Sequence, residues 1–416
     1  MSQANRWWRM LAAMLLAMPL LVTNVTAQEQ RPNVLFILSD DQAWNDYGFL
    51  GHKVIQTPHL DQLAKQSLVY TQGYVPTSLC RASLMTLVTG KYAHEHGITG
   101  NDPPKGTPRE EMLRFVRESP TLPRILSKAG YRTFQSGKWW EGNFAEGGFT
   151  QGMTHGDPKR GGRHGDLGLK IGREGLQPVF DFIEKSEKTP WFVWYAPMMP
   201  HQPHNPPERL LAKYRGKVDS LHVAKYYAMC EWWDETCGQL LDYLDEHDLA
   251  QNTLVVYVCD NGWIQQTNKA TFDERSKRSP YEPGIRTPIM FRWPDKIKPA
   301  VNDSLQSSVS IAPTILRECG LSFPDREDAP SLIRSPPAGP VFGEIFTHDV
   351  VEIGAPAKSL LTRWCRADNW KLIVPTSGEV ELYNLKDDPS EAKNVATANP
   401  ETVMKLRTQL NQWWQP

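Results

Sequence analysis

Uninterrupted apolar stretches of strand length recur along the chain, and each ends abruptly at polar residues. The clearest is Asn33–Ser39, which reads NVLFILS, and Thr253–Cys259 repeats the pattern. Residues 190–196 and 131–135 are further stretches of this kind. A strand that is apolar on both faces belongs in a parallel sheet whose faces are covered by helices. The pattern therefore predicts four strands at the centre of an α/β fold.

Segments with a helical spacing of apolar residues lie between and after these strands. They predict helices over residues 60–68, 82–88, 122–129, 223–246 and Pro400–Trp413. A chain of 416 residues exceeds what one simple core usually holds. We therefore predict a large, mostly parallel sheet sandwiched by helices, together with a smaller appendage.

A short charged and apolar segment opens the sequence. Arg6 and Arg9 precede an apolar run over residues 10–22, and small and polar residues follow up to Ala27. This order is typical of a secretory signal peptide, so we predict such a peptide over residues 1–27 and a periplasmic or secreted protein. No later apolar run reaches the length of a bilayer-spanning helix, so we do not expect the mature chain to be embedded in a membrane.

Charge and cysteine usage narrow the classes of partner. The formal net charge is −1, which argues against a nucleic-acid partner. The six cysteines have no spacing typical of a disulfide scaffold. Cys230 and Cys237 lie about two turns apart on one predicted helix, beyond the reach of a disulfide. We expect every cysteine except Cys80 to be a buried structural thiol.

Polar side chains follow each of the four predicted strands. Asp40 and Asp41 follow the first, Lys138 and His201 follow two others, and the Asp260-Asn261 pair follows the last. In open α/β sheets, ligands bind beyond the carboxyl ends of the strands, so these groups are expected to converge. A single Asp after a strand is often only a turn or cap residue. Carboxylate and amide oxygens in this number suit Ca²⁺ or Mg²⁺ better than zinc.

Cationic side chains are expected around that metal site. A divalent ion beside Lys138, His201 and Lys277 would make a strongly positive pocket. Such a pocket would hold an anion, polarise its oxygens and balance charge on a leaving group. Phosphate esters and sulfate esters are therefore the substrate classes that the pattern indicates.

Cys80 precedes the predicted helix over residues 82–88. A thiol at a helix N-terminus is acidified, which is compatible with a nucleophilic or redox role, and the alternative is a buried structural cysteine. A thiolate facing a hard Ca²⁺ or Mg²⁺ ion is a poor chemical match. The mismatch indicates that the sulfur is not the atom that finally meets the metal.

The chain resembles the formylglycine-dependent sulfatases of the alkaline phosphatase superfamily, from about Arg31 to its end. The matching stretches are residues 32–41 (PNVLFILSDD), 57–64, 80–90, 136–139 (SGKW), 200–203 (PHQP), 260–262 (DNG), Lys277 with 281–288 (YEPGIRTP), and 381–389. The resemblance implies a large α/β domain over residues 31–358. It also implies a C-terminal subdomain over residues 359–416, built from a small antiparallel sheet and the final helix.

The resemblance also implies site roles. The family cysteine is oxidised to formylglycine by the formylglycine-generating enzyme during export, and Cys80 occupies that position because Thr89-Gly90 keep the family register. Asp40, Asp41, Asp260 and Asn261 would hold Ca²⁺ or Mg²⁺ together with the modified Cys80. Lys138, His201 and Lys277 would bind the sulfate and protonate or stabilise the leaving group.

Three positions depart from the family pattern. Ala82 replaces the proline and Leu84 the arginine of the motif Cys-x-Pro-Ser-Arg, and both family residues help the modifying enzyme recognise its target. Trp140 stands where the family usually carries a histidine. Candidate substitutes for that histidine are His155 and His164 in the glycine-rich loop over residues 147–172, whereas His94 and His96 are expected to be structural.

The leading hypothesis is an exported sulfuric ester hydrolase acting on a sulfated carbohydrate or another sulfate ester. One alternative keeps the fold and metal but hydrolyses a phosphodiester or phosphonate ester. Another is a catalytically impaired binder of sulfated glycans.

Overall fold

A mixed sheet of nine strands forms the centre of the protein in this computed structural model, which describes residues 31–160 and 166–416. In chain order the strands are β1 (Asn33–Ser39), β2 (Leu68–Tyr74), β3 (Arg132–Gly137), β4 (Gln151–Gly152), β5 (Trp191–Ala196), β6 (Thr253–Cys259), β7 (Arg286–Arg292), β8 (Ala300–Asn302) and β9 (Gln306–Ser307). The spatial order is β4-β3-β5-β1-β6-β7-β2-β8, with β9 also beside β2. Only β7 runs antiparallel to its neighbours among these strands.

Helices cover both faces of this sheet. They are α1 (Pro58–Lys65), α2 (Cys80–Thr89), α3 (Ala93–His96), α4 (Leu113–Glu118), α5 (Leu122–Lys128), α6 (Gln177–Glu184), α7 (Glu208–Tyr214), α8 (Leu221–Glu246), α9 (Glu282–Ile285), α10 (Ile311–Glu318), α11 (Pro356–Ser359) and α12 (Pro400–Trp413). Short 3-10 turns, such as Leu167–Lys170, connect several of them.

The residues of β1 show how the layers are built. Phe36 and Leu38 belong to one buried apolar cluster, which also contains residues of α2, α5 and α10. Leu35 and Ile37 belong to another, which also contains residues of α1, α6 and α8. Successive side chains of a strand point to opposite faces, so a continuous apolar run fills both layers. The predicted fold class is confirmed.

A second, antiparallel sheet has four strands within the described residues. In spatial order they are β10 (Val341–Phe346), β11 (Leu360–Ala367), β12 (Trp370–Pro375) and β13 (Glu381–Asn384). Leu406 and Leu410 of α12 pack with Cys365 and Leu372 in one buried cluster. Strand β10 precedes residue 359, where the sequence analysis begins the C-terminal subdomain.

Several element boundaries differ from the sequence predictions. The predicted helix over residues 60–68 ends at Lys65, and Leu68 begins β2, a strand that the apolar pattern did not reveal. The predicted strand over residues 131–135 continues to Gly137, directly before Lys138. Helix α2 begins at Cys80 itself.

The cysteine prediction is confirmed, since all six cysteines are free and buried. The described residues contain no helix long and apolar enough to cross a membrane. The predicted signal peptide over residues 1–27 lies outside the described residues.

Candidate active site

The carboxyl edge of the main sheet brings the predicted site residues together. Asp40 and Asp41 follow β1, Lys138 follows β3, His201 follows β5, and Asp260 with Asn261 follows β6. Lys277 precedes β7, and because β7 is antiparallel its first residues lie at the same edge. Cys80 lies at the start of α2, in the connection that leaves β2.

Close packing of the strand ends aims Lys138 into this site. The preceding Gly137 has a φ of 80°, and a Cβ there would lie 2.0 Å from the carbonyl oxygen of Ala196 on β5. Only glycine fits such an approach. The backbone N–H of Lys138 then donates to that same carbonyl at 2.5 Å. The end of β3 is thereby fixed against β5.

Three side chains lie against the carboxylate of Asp41, and two of them donate hydrogen bonds to it. Asn261 Nδ2 donates to it at 2.6 Å, and Lys277 Nζ lies 2.7 Å from its carboxylate. His201 Nε2 lies 3.3 Å from Asp41 Oδ2. Burial would raise the pKa of Asp41, but Lys277 and His201 outweigh burial and lower that pKa to about 2. Asp41 is therefore ionised, and it holds a left-handed φ of 63° that non-glycine residues seldom adopt.

Lys138 bridges the other two carboxylates. Its Nζ lies 2.5 Å from Asp40 Oδ1 and 3.0 Å from Asp260 Oδ2, and all three side chains are buried. Burial alone would lower the pKa of Lys138, yet Asp260 and Asp40 hold it well above its usual value. Burial, together with Asp260 and Asp41, raises the pKa of Asp40 well above its usual range despite Lys138.

Three features fit this site to a cation. Three acidic side chains, of Asp40, Asp41 and Asp260, face two ammonium groups, of Lys138 and Lys277, so a bound cation would favour the ionised form of Asp40, whose pKa is otherwise raised. Asp40 Oδ2 is buried without a hydrogen-bond partner in the described residues. Ligand atoms from Asp40, Asp41, Cys80 and His201 all lie within 4.8 Å of one another. Oxygen donors of this kind suit Ca²⁺ or Mg²⁺.

The ring of His201 also presents an acceptor atom to this site. Its Nδ1 lies 2.6 Å from the carbonyl oxygen of Gln202, which can only accept, so Nδ1 carries the hydrogen. Burial lowers the pKa of His201 to about 3, so the ring is neutral at pH 7. The lone pair of Nε2 therefore faces the carboxylate of Asp41, an arrangement that a cation between them would stabilise.

Cys80 joins the same cluster but is not an acidified thiol. Its Sγ lies 3.5 Å from Asn261 Oδ1, and the residue is 3% exposed. Burial raises the pKa of Cys80 to about 12, although Lys138 and Lys277 oppose this. The expectation of a thiol acidified by the helix N-terminus is therefore wrong, because desolvation of the thiolate outweighs the nearby positive charges.

The replaced motif residues have definite places. Leu84 and Trp140 are buried in the apolar cluster that contains α2, and Ala82 packs with Phe346 and Leu360. The Trp140 ring lies 5.8 Å from Lys138 Nζ, within cation–π range. The family arginine position is thus filled by core packing rather than by a polar group.

The histidines of the loop over residues 147–172, together with His94 and His96, have other contacts or lie outside the described residues. His155 Nδ1 accepts from the backbone N–H of Asp157 and lies 3.4 Å from Asp166 within its own loop. His164 lies outside the described residues. His94 stacks on Trp414, with ring centroids 4.3 Å apart, and His96 is buried. Both of the latter occupy packing positions.

Two residues at this edge escaped the sequence analysis. Glu141 pairs with Arg81, the residue after Cys80. Arg173 Nη2 donates to the carbonyl oxygens of Met198 and His201 at 2.8 and 3.1 Å. Glu141 directly follows the Lys-Trp-Trp stretch, which is a weak signal. Arg173 lies in a loop whose sequence contains no pattern that indicates a functional residue.

Comparison with known proteins agrees with this geometry. The sulfatase family model matches residues 32–321. The chain belongs to the sulfatase family. The predicted family and the predicted class of sulfuric ester hydrolase are therefore confirmed. A model described as N-sulphoglucosamine sulphohydrolase, C-terminal, matches residues 269–415 of this sulfatase.

Individual relatives span most of the sulfatase chain. Arylsulfatase A of Homo sapiens is 27% identical over 456 residues, covering 90% of this chain and 86% of the relative. N-acetylgalactosamine-6-O-sulfatase of Bacteroides thetaiotaomicron is 23% identical, and the match covers 91% of this chain and 92% of the relative. The crystal structure of Ps i-CgsB in complex with k-i-k-neocarrahexaose superposes with a TM-score of 0.75 at 21% sequence identity, and the match covers 92% of this chain and 93% of that chain. At this identity the similarity shows a shared fold.

Proposed function

We propose that this protein is an exported sulfatase that removes sulfate from a sulfated carbohydrate, with Cys80 as the precursor of its nucleophile. The observation that carries the proposal is the buried cluster in which Cys80 adjoins three carboxylates, two lysines and a neutral histidine. Relatives whose names specify sulfated sugars, such as N-acetylgalactosamine-6-O-sulfatase, support a carbohydrate as the substrate class.

A resident cation and a modified cysteine belong to this proposal. Asp40, Asp41, Asp260 and Asn261 would hold Ca²⁺ or Mg²⁺ beside residue 80. The cation would supply positive charge that polarises the sulfate oxygens, and formylglycine at position 80 would supply an oxygen nucleophile in place of the sulfur. The formylglycine-generating enzyme is then a partner during export.

The cationic side chains would act on the sulfate group. Although burial lowers the pKa of Lys277, the carboxylate of Asp41 raises it above its usual value, so its ammonium group stays protonated. Lys138 and Lys277 can therefore donate hydrogen bonds to sulfate and to the departing oxygen. His201 is neutral at pH 7, so its Nε2 can accept a proton during the reaction.

The deciding experiment uses protein purified from a host that exports it and carries the modifying enzyme. Sulfate release from 6-O-sulfated N-acetylgalactosamine and other sulfated sugars is measured beside the mass of the Cys80 peptide. The proposal expects an aldehyde mass at Cys80, turnover that stops after chelation and returns with Ca²⁺ or Mg²⁺, and no turnover in Cys80→Ala.

Two other outcomes would reject the proposal. Faster hydrolysis of bis-nitrophenyl phosphate than of nitrophenyl sulfate would identify a phosphodiesterase. Binding of sulfated sugar without turnover, with Cys80 remaining a thiol, would identify a glycan-binding protein.

A further inference from the structure

A fully buried ion pair includes the residue that directly follows the nucleophile position in the sequence. Arg81 Nε lies 2.5 Å from Glu141 Oε1, and Arg81 Nη2 lies 2.6 Å from Glu141 Oε2. The two side chains are 0% and 3% exposed. Two parallel hydrogen bonds fix the relative orientation of both groups, and burial makes any looser geometry costly.

The remaining polar atoms of Arg81 are engaged as well. Its Nη1 donates to the carbonyl oxygen of Asn101 at 3.3 Å, and its backbone N–H donates to Asn101 Oδ1 at 3.1 Å. None of these contacts involves Asp40, Asp41, Asp260 or Asn261. The guanidinium group therefore donates to Glu141 and to the backbone of Asn101, and it is not a sulfate ligand.

The pair connects two elements that the sheet keeps apart. Cys80 is delivered from β2 and Lys138 from β3, and strands β5, β1, β6 and β7 lie between those two strands. Arg81 directly follows Cys80, and Glu141 lies three residues after Lys138. The ion pair is thus a direct polar connection between the first turn of α2 and the loop that carries Lys138.

We propose that Arg81 and Glu141 are positioning residues for the reaction, because their ion pair sets the position of residue 80 relative to Lys138. This inference rests on the proposed function. The pair touches neither Lys277 nor His201, so its loss should lower kcat more than it changes KM.

The test is the double variant Arg81→Met/Glu141→Leu, which removes both charges without leaving one buried alone. We expect kcat to fall about 10- to 100-fold while KM stays within about threefold, because small misplacements of reacting groups reduce turnover strongly. The matched control is Arg117→Met/Glu146→Leu. That pair is also bidentate, at 2.7 and 2.7 Å, it is more exposed, and within the described residues neither side chain forms a hydrogen bond with Cys80 or Lys138. Its kcat should equal that of the wild type.

A second readout does not need turnover. In protein produced without the modifying enzyme, Cys80 keeps its thiol, and its alkylation by iodoacetamide is followed by peptide mass spectrometry. We expect slow labelling in the wild type and in the control pair, and labelling at least about 10-fold faster in the double variant, since residue 80 would sample more open positions. This arm still tests the ion pair if the wild type releases no sulfate, an outcome that would reject only the proposed function.

A purely structural role would give a different result. If the double variant folds with the thermal midpoint of the wild type, and its kcat and labelling rate both stay within about twofold, the positioning role is rejected. Should the double variant not fold, Glu141→Gln keeps the shape of the side chain and gives the same comparison. Arg81→Lys, which keeps the charge but not the two-point contact, should show a smaller loss of kcat.

Discussion

Two of the buried charge clusters among the described residues differ in how their charges balance. The first, proposed above to be the site of the reaction and here named the catalytic cluster, consists of Asp40, Asp41, Asp260, Lys138 and Lys277. The second, here named the Glu282 cluster, consists of Glu282, Glu391, Arg366 and Lys371. In the Glu282 cluster, Lys371 Nζ lies 3.1 Å from Glu282 and 2.7 Å from Glu391, and Arg366 Nη1 lies 3.3 Å from Glu282.

The Glu282 cluster has no excess of carboxylates. Its two carboxylates face Arg366 and Lys371, and Arg286 Nη1 lies 3.7 Å from Glu282 as well. Tyr74 donates to Glu282 at 2.9 Å, and the backbone N–H of Glu282 donates to Glu391 at 2.7 Å. Because Arg366 and Lys371 lie on β11 and β12, the Glu282 cluster links the small sheet to α9 of the main domain. The catalytic cluster instead has one acidic side chain more than it has ammonium groups. Burial of charge alone therefore does not mark a cation site, whereas an excess of buried acidic groups does.

The largest expected effect comes from removing that excess charge. In Asp40→Asn the amide can take the place of the orphaned oxygen, so the metal-free protein should keep or gain thermal stability. Cation binding should weaken by more than the roughly 10- to 100-fold typical of losing a partner of a metal ligand, and sulfate release should fall with it. Thermal midpoints with and without Ca²⁺, measured beside turnover, check both effects.

The matched change in the Glu282 cluster is Glu391→Gln. It should lower the thermal midpoint equally with and without Ca²⁺ and leave turnover per folded molecule unchanged. A loss of Ca²⁺-dependent stabilisation in this variant would show that the two clusters are not separate.

A smaller effect is expected from Lys371→Met, which removes the cation that pairs with Glu391, whereas Glu282 keeps Arg366. Breaking a buried pair in this way typically costs about 3–5 kcal/mol of folding free energy. Chemical denaturation should report this loss, whereas kcat at temperatures where the protein is folded should stay near the wild-type value. A kcat reduced in proportion to stability would mean that the small sheet contributes to the chemistry.

The sequence revealed the catalytic cluster more readily than the Glu282 cluster, for a physical reason. Apolar runs predict buried parallel strands, and the topology of parallel sheets sends their carboxyl ends to one edge. Asp40, Asp260 and Lys138 could therefore be grouped without coordinates. The members of the Glu282 cluster come from a short helix, from an antiparallel sheet and, for Glu391, from the loop after β13. No local pattern specifies the register of such a sheet.

The same reasoning explains what was missed nearer to the site. Strand β2 reads LVYTQGY, and its side chains alternate irregularly between buried and half-buried. The sequence pattern therefore did not separate this strand from the preceding helix, and the predicted helix over residues 60–68 extended to the first residue of β2. Arg81 was visible in the sequence, but its partner Glu141 is 60 residues away and is set by how β3 and α2 meet. The acidity of Cys80 was mispredicted because burial, which a motif does not report, decides it.

A moderate effect is expected where the catalytic cluster is held from outside. Arg173 Nη2 donates to the carbonyl oxygens of Met198 and His201, so it fixes the loop that carries the His201 ring. Arg173→Lys keeps the charge but cannot span both carbonyls, and kcat should fall about 3- to 10-fold. The exposed Lys170→Met in the same loop serves as control. An unchanged kcat in Arg173→Lys would mean that the loop is fixed by its other contacts.

The smallest effect is expected from a charge pair that belongs to neither cluster. Arg209 and Glu235 form two hydrogen bonds, at 2.6 and 2.5 Å, between α7 and α8. The Arg209 side chain is 59% exposed, so water and salt compete for it and the pair should contribute under about 1 kcal/mol to stability. Arg209→Gln should therefore shift the denaturation midpoint only slightly, and the shift should be smaller at high salt. Turnover should not change. A shift as large as that of Lys371→Met would contradict the view that burial, rather than contact distance, determines how much an ion pair contributes to the stability of this protein.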